Sequence, residues 1–162
     1  MIEKVLDVAK SYVGYMEKAS DDDLDDFNSN VGSNNFTKFA RDFFPEFQGM
    51  AWCCMFIYSC FAYAYGEDTA IKMLGDIKTA RCQELWDAMA KQGLSRDDIS
   101  KAEKGDLIFF HKNNFICNIG IVVNVDDDSI ETIEGNTILK NNEVIESGDG
   151  VYQKNMTLQM KR

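Results

Sequence analysis

The chain has 162 residues, of which 45% are hydrophobic, and it carries a formal net charge of −10. This length predicts a single domain over residues 1–162 with a substantial core, and the apolar content excludes a disordered acidic tail. The negative charge disfavours nucleic acid and anionic membranes as partners, because clustered Lys and Arg side chains bind phosphate groups. A single histidine excludes a metal site built from several imidazoles.

The chain has no stretch that reads as a membrane span or a leader. The most apolar stretch, 50–65, is interrupted by Ser59 and falls short of the ~20 residues that cross a bilayer. Residues 1–10 carry charges where a secretory signal peptide has its apolar core, so no signal peptide is expected. The five cysteines are odd in number and irregularly spaced, so we expect reduced thiols, three of them in the core.

Helical periodicity dominates the first half of the chain. Near the amino terminus, apolar residues at three- and four-residue spacings predict an amphipathic helix. These residues are Ile2, Val5, Leu6, Ala9, Tyr12, Val13 and Met16. Further helices are predicted over 36–44, capped by Ser33 or Asn34 and ended before Pro45, over 52–65, ended by Gly66, and over 79–92.

The stretch 21–35 is rich in Asp, Asn, Ser and Gly, a composition that predicts a loop. Its acidic residues alternate as in a calcium loop that starts at Asp21. However, the sixth position holds Asp26 instead of Gly, and the twelfth holds Gly32 instead of Glu. The pattern therefore predicts a solvated connection and not an EF-hand.

After residue 105 the period changes from helical to strand-like. Branched and aromatic residues predict strands over 106–111, 118–125 and 129–134, with a weaker one near 151–154. Short polar loops, 112–117 and 126–128, imply antiparallel hairpins. Helices followed by an antiparallel meander predict an α+β domain.

One cysteine stands where a nucleophile could be activated. The run Gly49-Met-Ala-Trp-Cys53-Cys54 places Cys53 at the start of a predicted helix. The free N–H groups and the dipole of a helix start lower a thiol pKa and can receive the oxyanion of a tetrahedral intermediate. The alternative is that both cysteines fill the core, since free cysteine is among the most buried residue types.

A cysteine nucleophile also needs a base within hydrogen-bond reach, normally an imidazole. The histidine of this chain is His111, at the end of the first predicted strand. The run Glu134-Gly-Asn136-Thr137 ends the third predicted strand and carries a carboxylate and an amide of the kind that orient an imidazole. It can equally be a strand followed by a Gly-Asn turn.

Several ordered motifs together resemble one family, the CHAP domain, the cysteine, histidine-dependent amidohydrolase/peptidase group of bacterial and phage peptidoglycan hydrolases. The resemblance runs from about residue 13 to residue 152. The motifs that carry it are Tyr15-Met-Glu-Lys, Gly32-Ser-Asn-Asn-Phe-Thr-Lys-Phe-Ala-Arg-Asp42, Ala51-Trp-Cys-Cys-Met-Phe56, Thr79-Ala-Arg-Cys82, Lys104-Gly-Asp-Leu-Ile-Phe-Phe110, Gly120-Ile-Val and Thr132-Ile-Glu-Gly-Asn-Thr137.

The resemblance implies a papain-like cysteine hydrolase fold, with amino-terminal helices packed on a carboxy-terminal antiparallel sheet. It implies cleavage of amide bonds in the peptide part of peptidoglycan, in a stem peptide or a cross-bridge, without a metal or organic cofactor. Cys53 matches the nucleophile, and Glu134 and Asn136 match the residues that orient the imidazole. The catalytic histidine of the family corresponds to Asn118, which cannot take up a proton near neutral pH.

This departure leaves three interpretations open. The chain is a degenerate relative that binds peptide without cutting it, or a hydrolase inactivated by Asn118, whether naturally or by engineering. Alternatively, His111 supplies the imidazole, because a hairpin loop over 112–117 would make His111 and Asn118 cross-strand partners. A related acyltransferase acting on lipid or protein amides is a further alternative.

The resemblance also bears on localisation. We expect synthesis in the bacterial cytoplasm without a signal peptide. This fits action at the cell wall after lysis or export, and it also fits a protein that never leaves the cell. The negative charge suggests that a wall-targeting or delivery partner brings the domain to the wall.

Overall fold

The computed structural model describes residues 1–158. In this part of the chain, helices come first and a four-stranded antiparallel sheet follows, so the predicted α+β class is confirmed. The helices are α1 (Ile2–Ser11), α2 (Lys38–Phe43), α3 (Cys53–Tyr65), α4 (Glu67–Met73) and α5 (Cys82–Lys91), with 3₁₀ turns at Pro45–Phe47 and Ile99–Lys101. The strands are β1 (Leu107–Lys112), β2 (Phe115–Val125), β3 (Ser129–Thr137) and β4 (Gly150–Thr157), in the order β1-β2-β3-β4.

Helix α3 forms the centre of the fold. It is apolar on all sides, and a helix with that pattern is stable only when other elements surround it. It packs between α1 on one side and strands β2 and β3 on the other. Strand β3 approaches it closely at Gly135, where a Cβ atom would lie 2.7 Å from the Cβ of Phe56. The main core therefore connects the start of α3 rigidly to the sheet.

The two faces of the sheet have different partners. Ile119, Ile121 and Ile133 belong to the main core with α3. A second, smaller apolar cluster consists of Ile108, Phe110, Val122 and Ile130. Because side chains alternate along a strand, neighbouring residues of β2 serve different clusters.

The helices differ from prediction in two places. Helix α2 begins at Lys38, and its cap is Thr37, whose hydroxyl accepts the Ala40 N–H at 3.2 Å, so the predicted Ser33 or Asn34 cap is wrong. Helix α4 was not predicted, because Gly66 reads as a helix end. Gly66 both ends α3 and caps the start of α4, at φ 84°.

The first hairpin also differs from prediction. The predicted loop over 112–117 is a two-residue turn, Asn113-Asn114, in which both residues have positive φ (51° and 65°). Such a turn matches the natural twist of a hairpin. Strand β2 therefore begins at Phe115, earlier than predicted.

A β-bulge follows this turn and changes the register. Asn118 pairs with Phe110, and His111 pairs with Ile116. The bulge leaves Cys117 as the extra residue on β2. The predicted pairing of His111 with Asn118 is therefore wrong.

All five cysteines are free thiols, and four of them are buried, one more than predicted. Within residues 1–158, no helix combines the length and the apolar character needed to cross a bilayer.

Candidate active site

Cys53 is the first residue of α3 and directly follows Trp52. Its side chain is buried, with 7% of the residue exposed. The Sγ atom lies 3.4 Å from the Sγ atom of Cys82, which is the first residue of α5. Two helix starts therefore meet at a pair of thiols in contact, an arrangement that the sequence alone did not indicate.

A cavity of about 260 Å³ opens beside this thiol pair. Its wall contains three sulfhydryl groups, those of Cys53, Cys82 and Cys117, and the guanidinium-bearing residue Arg81. The remaining lining residues are Phe47, Met50, Ala51, Met55, Ala80, Gln83 and Ile116. The bulge in β2 accounts for the third thiol, since it brings Cys117 to the rim of this cavity.

The protonation state of Cys53 differs from the expectation for a helix start. The hydrogen bond with Cys82, followed by burial, raises the pKa of the Cys53 thiol well above its ordinary value. Backbone N–H groups at the start of α3 act in the opposite direction, as expected, but they are outweighed. For Cys82, the hydrogen bond with Cys53 lowers the pKa, but a hydrogen bond with Cys54 and burial outweigh it and raise the pKa above its ordinary value. Both sulfurs are therefore thiols, not thiolates, at neutral pH.

A second polar cluster is centred on Glu134, and its members lie on the face of the sheet that carries Val122. Asn118 Nδ2 donates to Glu134 Oε2 at 3.2 Å, and the Thr132 hydroxyl donates to Oε1 at 2.7 Å. The Lys154 ammonium donates to Glu134 Oε2 at 3.3 Å. Asn118, Thr132, Glu134 and Lys154 are each at most 1% exposed. A complete network of donors thus surrounds the buried carboxylate.

The Lys154 ammonium has further partners. It donates to the Thr137 hydroxyl at 3.2 Å and to the carbonyl of Glu143 at 2.9 Å. Burial raises the pKa of Glu134, and Lys154 and the Thr132 hydroxyl oppose that rise by stabilising the carboxylate. A lysine thus provides the buried cation beside Glu134.

Asn136 follows in β3, with φ at 55°, and is fully buried. Its Oδ1 accepts the Gly148 N–H at 3.2 Å, whereas its Nδ2 has no hydrogen-bond partner within residues 1–158. Because this donor is enclosed as well as unpaired, it is an energetic cost to the fold.

His111 lies apart from the thiol cavity. It is exposed, and its ring stands edge-on to Trp86 with the ring centroids 6.4 Å apart. It is not among the residues that line the cavity of Cys53. The bulge and the pairing with Ile116 explain why the cross-strand placement expected for a surrogate base does not occur.

The site residues inferred from the sequence therefore fall into two groups. Asn118 and Glu134 are in direct contact, whereas the side-chain hydrogen bond of Cys53 is to Cys82. Sequence reasoning missed Cys82, Cys117 and Lys154. Cys82 was visible as the end of the motif Thr79-Ala-Arg-Cys82 but not as a partner of Cys53, and Lys154 only as the end of a weak strand.

The comparison with known proteins bears on these same residues. The family model of the CHAP domain matches residues 45–136, which is more than half of the chain. The chain belongs to the CHAP domain family. The matched segment of this CHAP domain contains Cys53, Asn118, Glu134 and Asn136, whereas Lys154 lies beyond it. No curated protein and no solved structure matches the chain.

Membership in the CHAP domain family is consistent with the observed order of helices and sheet. CHAP domains have the papain-like cysteine hydrolase fold, with the helices before the sheet, and this CHAP domain has the same arrangement. They form a family of amidases and peptidases of the peptidoglycan hydrolase type.

Proposed function

We propose that this CHAP domain recognises the peptide part of peptidoglycan, a stem peptide or cross-bridge, and that Cys53 is its nucleophile. We further propose that Asn118 in the position of the histidine base leaves turnover impaired or absent. The observation that carries the proposal is the surroundings of Cys53. Its sulfur is hydrogen-bonded to another thiol, and no imidazole lines its cavity.

Without a histidine base, the reaction open to this site is acyl transfer with no side chain to carry the proton. The Cys53 sulfur would attack the peptide carbonyl, and the N–H groups at the start of α3 would hold the oxyanion. Water would then release the acid from the acyl-enzyme. Asn118 can donate and accept hydrogen bonds, but it can neither remove the thiol proton nor protonate the departing amine. General acid–base catalysis contributes roughly 10²–10⁴-fold, so its loss brings the rate close to background.

Two features support impaired turnover over a working variant site. The pKa of the Cys53 thiol is raised, which keeps the weak nucleophilic form at neutral pH. The carboxylate of Glu134, which would orient an imidazole, is instead bonded to Asn118 and Lys154.

A second candidate function is peptide binding without any chemistry. The open cavity beside Cys53 supports this alternative, because Arg81 and Gln83 in its lining offer polar groups to a bound peptide. The same cavity would then serve as a recognition surface. In both cases we propose that the chain is made in the bacterial cytoplasm and meets the wall after lysis or export.

Hydrolysis of purified peptidoglycan distinguishes these functions. The chain as it stands is compared with Asn118→His and with Asn118→His combined with Lys154→Met, which frees Glu134 to pair with the new imidazole. We expect negligible release of peptide ends from the original chain and measurable release from a histidine variant. Adding Cys53→Ser to the active variant is expected to abolish that release.

Sedimentation with insoluble peptidoglycan provides the second measurement. Saturable binding with no cleavage by any histidine variant would replace the hydrolase proposal with the binding function. Absence of both binding and cleavage would overturn both functions. Cleavage by the original chain that disappears in His111→Ala would return the role of base to His111.

A further inference from the structure

The pair Cys53–Cys82 has a geometry suited to chemistry outside acyl transfer. The two sulfurs lie 3.4 Å apart, against about 2 Å in a disulfide, so a small approach of two side chains would join them. Each is the first residue of its helix, and each is slightly exposed to the same cavity, at 7% and 8%. The other cysteines lack this combination of contact and access.

We propose that Cys53 and Cys82 form a reversible disulfide, which is a covalent modification site that closes the candidate active site. The bond itself depends only on the geometry of the two thiols, whereas its effect on activity rests on the proposed role of Cys53. The oxidant is a low-molecular-weight disulfide of the glutathione type.

The exchange proceeds in two balanced steps. The Cys53 thiolate attacks one sulfur of the oxidant, a mixed disulfide forms, and the first small thiolate departs with the electron pair of the broken S–S bond. The Cys82 thiolate then attacks the Cys53 sulfur and displaces the second small thiolate. Overall, the two cysteines lose two protons and two electrons, and the oxidant is reduced to two thiols.

The surroundings favour this pair over competing pairs. Arg81 lines the cavity and attracts the carboxylates of an oxidant of this type. N–H groups at the helix starts stabilise each thiolate as it forms. The neighbouring Cys54 also contacts the Cys82 thiol, but its own thiol donates to the carbonyl of Thr79 at 3.4 Å. Cys54 is only 1% exposed and does not line the cavity, so an oxidant reaches it less readily. Because hydrogen bonds between the thiols, together with burial, leave both thiol pKa values raised, the exchange is expected to accelerate as the pH rises.

The test uses the full chain, reduced and then incubated with oxidised glutathione at mildly alkaline pH. After acid quenching, intact mass and peptide mapping identify the bonds. We expect a loss of two hydrogen atoms in mass and a linked peptide pair that contains Cys53 and Cys82, reversed by dithiothreitol. In Cys82→Ser or Cys82→Ala we expect glutathione to remain attached at Cys53. The matched control Cys60→Ser, at a buried thiol outside the cavity, should keep the cross-link.

Three results would overturn the proposal: thiols that stay fully reduced in the original chain, a mixed disulfide that never resolves, or a bond to Cys54 or Cys117 instead. None of these depends on the folding of a variant. If a histidine variant cleaves peptidoglycan, oxidation should abolish its activity and reduction should restore it. A cross-link that forms in a chain that neither binds nor cleaves the wall would overturn only the proposed function.

Discussion

Lys154 and Glu134 form an ion pair of 3.3 Å in which both side chains are buried. The lysine comes from β4 and the glutamate from β3, so the pair also fastens these two strands to each other. Asn118 completes the cluster from β2. The cluster therefore joins three of the four strands around Asn118, the residue expected from the sequence to stand in the position of the histidine base.

We expect Lys154→Met to destabilise the domain by about 3–5 kcal/mol, because it leaves a buried carboxylate without its cation. Urea denaturation measures the loss. The control Lys104→Met breaks an exposed pair with Glu3, at 2.9 Å, and should cost at most about 1 kcal/mol. Similar losses of unfolding free energy in the two variants would show that the buried ion pair stabilises the domain no more than the exposed one.

The pH dependence of stability should report on Glu17, which is 2% exposed. Burial and then Asp149 raise the pKa of its carboxyl. The native state therefore binds more protons than the unfolded state, so Glu17 makes stability fall as the pH rises from the unfolded pKa through the folded one. Glu17→Gln retains an acceptor for the Asn35 N–H and should flatten that fall in urea titrations at several pH values.

Asp26 provides a contrast of opposite sign. Hydrogen bonds from the backbone of Asn28 and Ser29 lower the pKa of its carboxyl, so its contribution is present above the unfolded pKa and disappears on acidification. Asp26→Asn should therefore flatten a rise of stability with pH. Identical pH profiles for the two variants would contradict both assignments.

Rates of thiol labelling distinguish the cysteines that line the cavity from those in the closed core. With iodoacetamide, we expect Cys53 and Cys82 to react at comparable rates that increase with pH, because both share one cavity and both have raised pKa values. Cys60 is fully buried and should react more slowly by about tenfold or more, since it must wait for a local opening of the fold. Equal rates at all three sites would place Cys53 in the closed core.

Gly120 lets Glu134 lie close to β2. A Cβ atom at residue 120 would be 2.8 Å from the Cγ of Glu134, so Gly120→Ala should displace the carboxylate and cost about 1–3 kcal/mol. The exposed Asn124→Ala, on the same strand, should change stability by at most about 0.5 kcal/mol. Thermal unfolding compares the two, and equal melting temperatures would mean that the glutamate has room to move.

Much of the fold could be predicted because the hydrophobic periodicity of short segments indicates the helices and strands. The mostly apolar run before Gly66 predicts the central helix, and branched and aromatic residues predict the sheet. The helix after Gly66 was missed because Gly66 both ends α3 and caps α4. In a sequence, a single glycine indicates only the end of a helix. The Asn113-Asn114 turn had a local signal, since both residue types tolerate positive φ, but the bulge beyond it had none.

The candidate site was only half predictable. The motifs that carry Cys53 and Glu134 are local, but the partners that decide their chemistry come from distant parts of the chain. Cys82 is 29 residues from Cys53, and Lys154 is 20 residues from Glu134. Contacts of this kind depend on packing between elements, which no pattern in a single sequence records.

The ion pair of Lys154 has a consequence for engineering this chain. An imidazolium introduced at residue 118 would meet a carboxylate whose charge Lys154 already balances. The effects of Asn118→His and Lys154→Met are therefore expected to be non-additive, and a double-mutant cycle would measure their coupling energy.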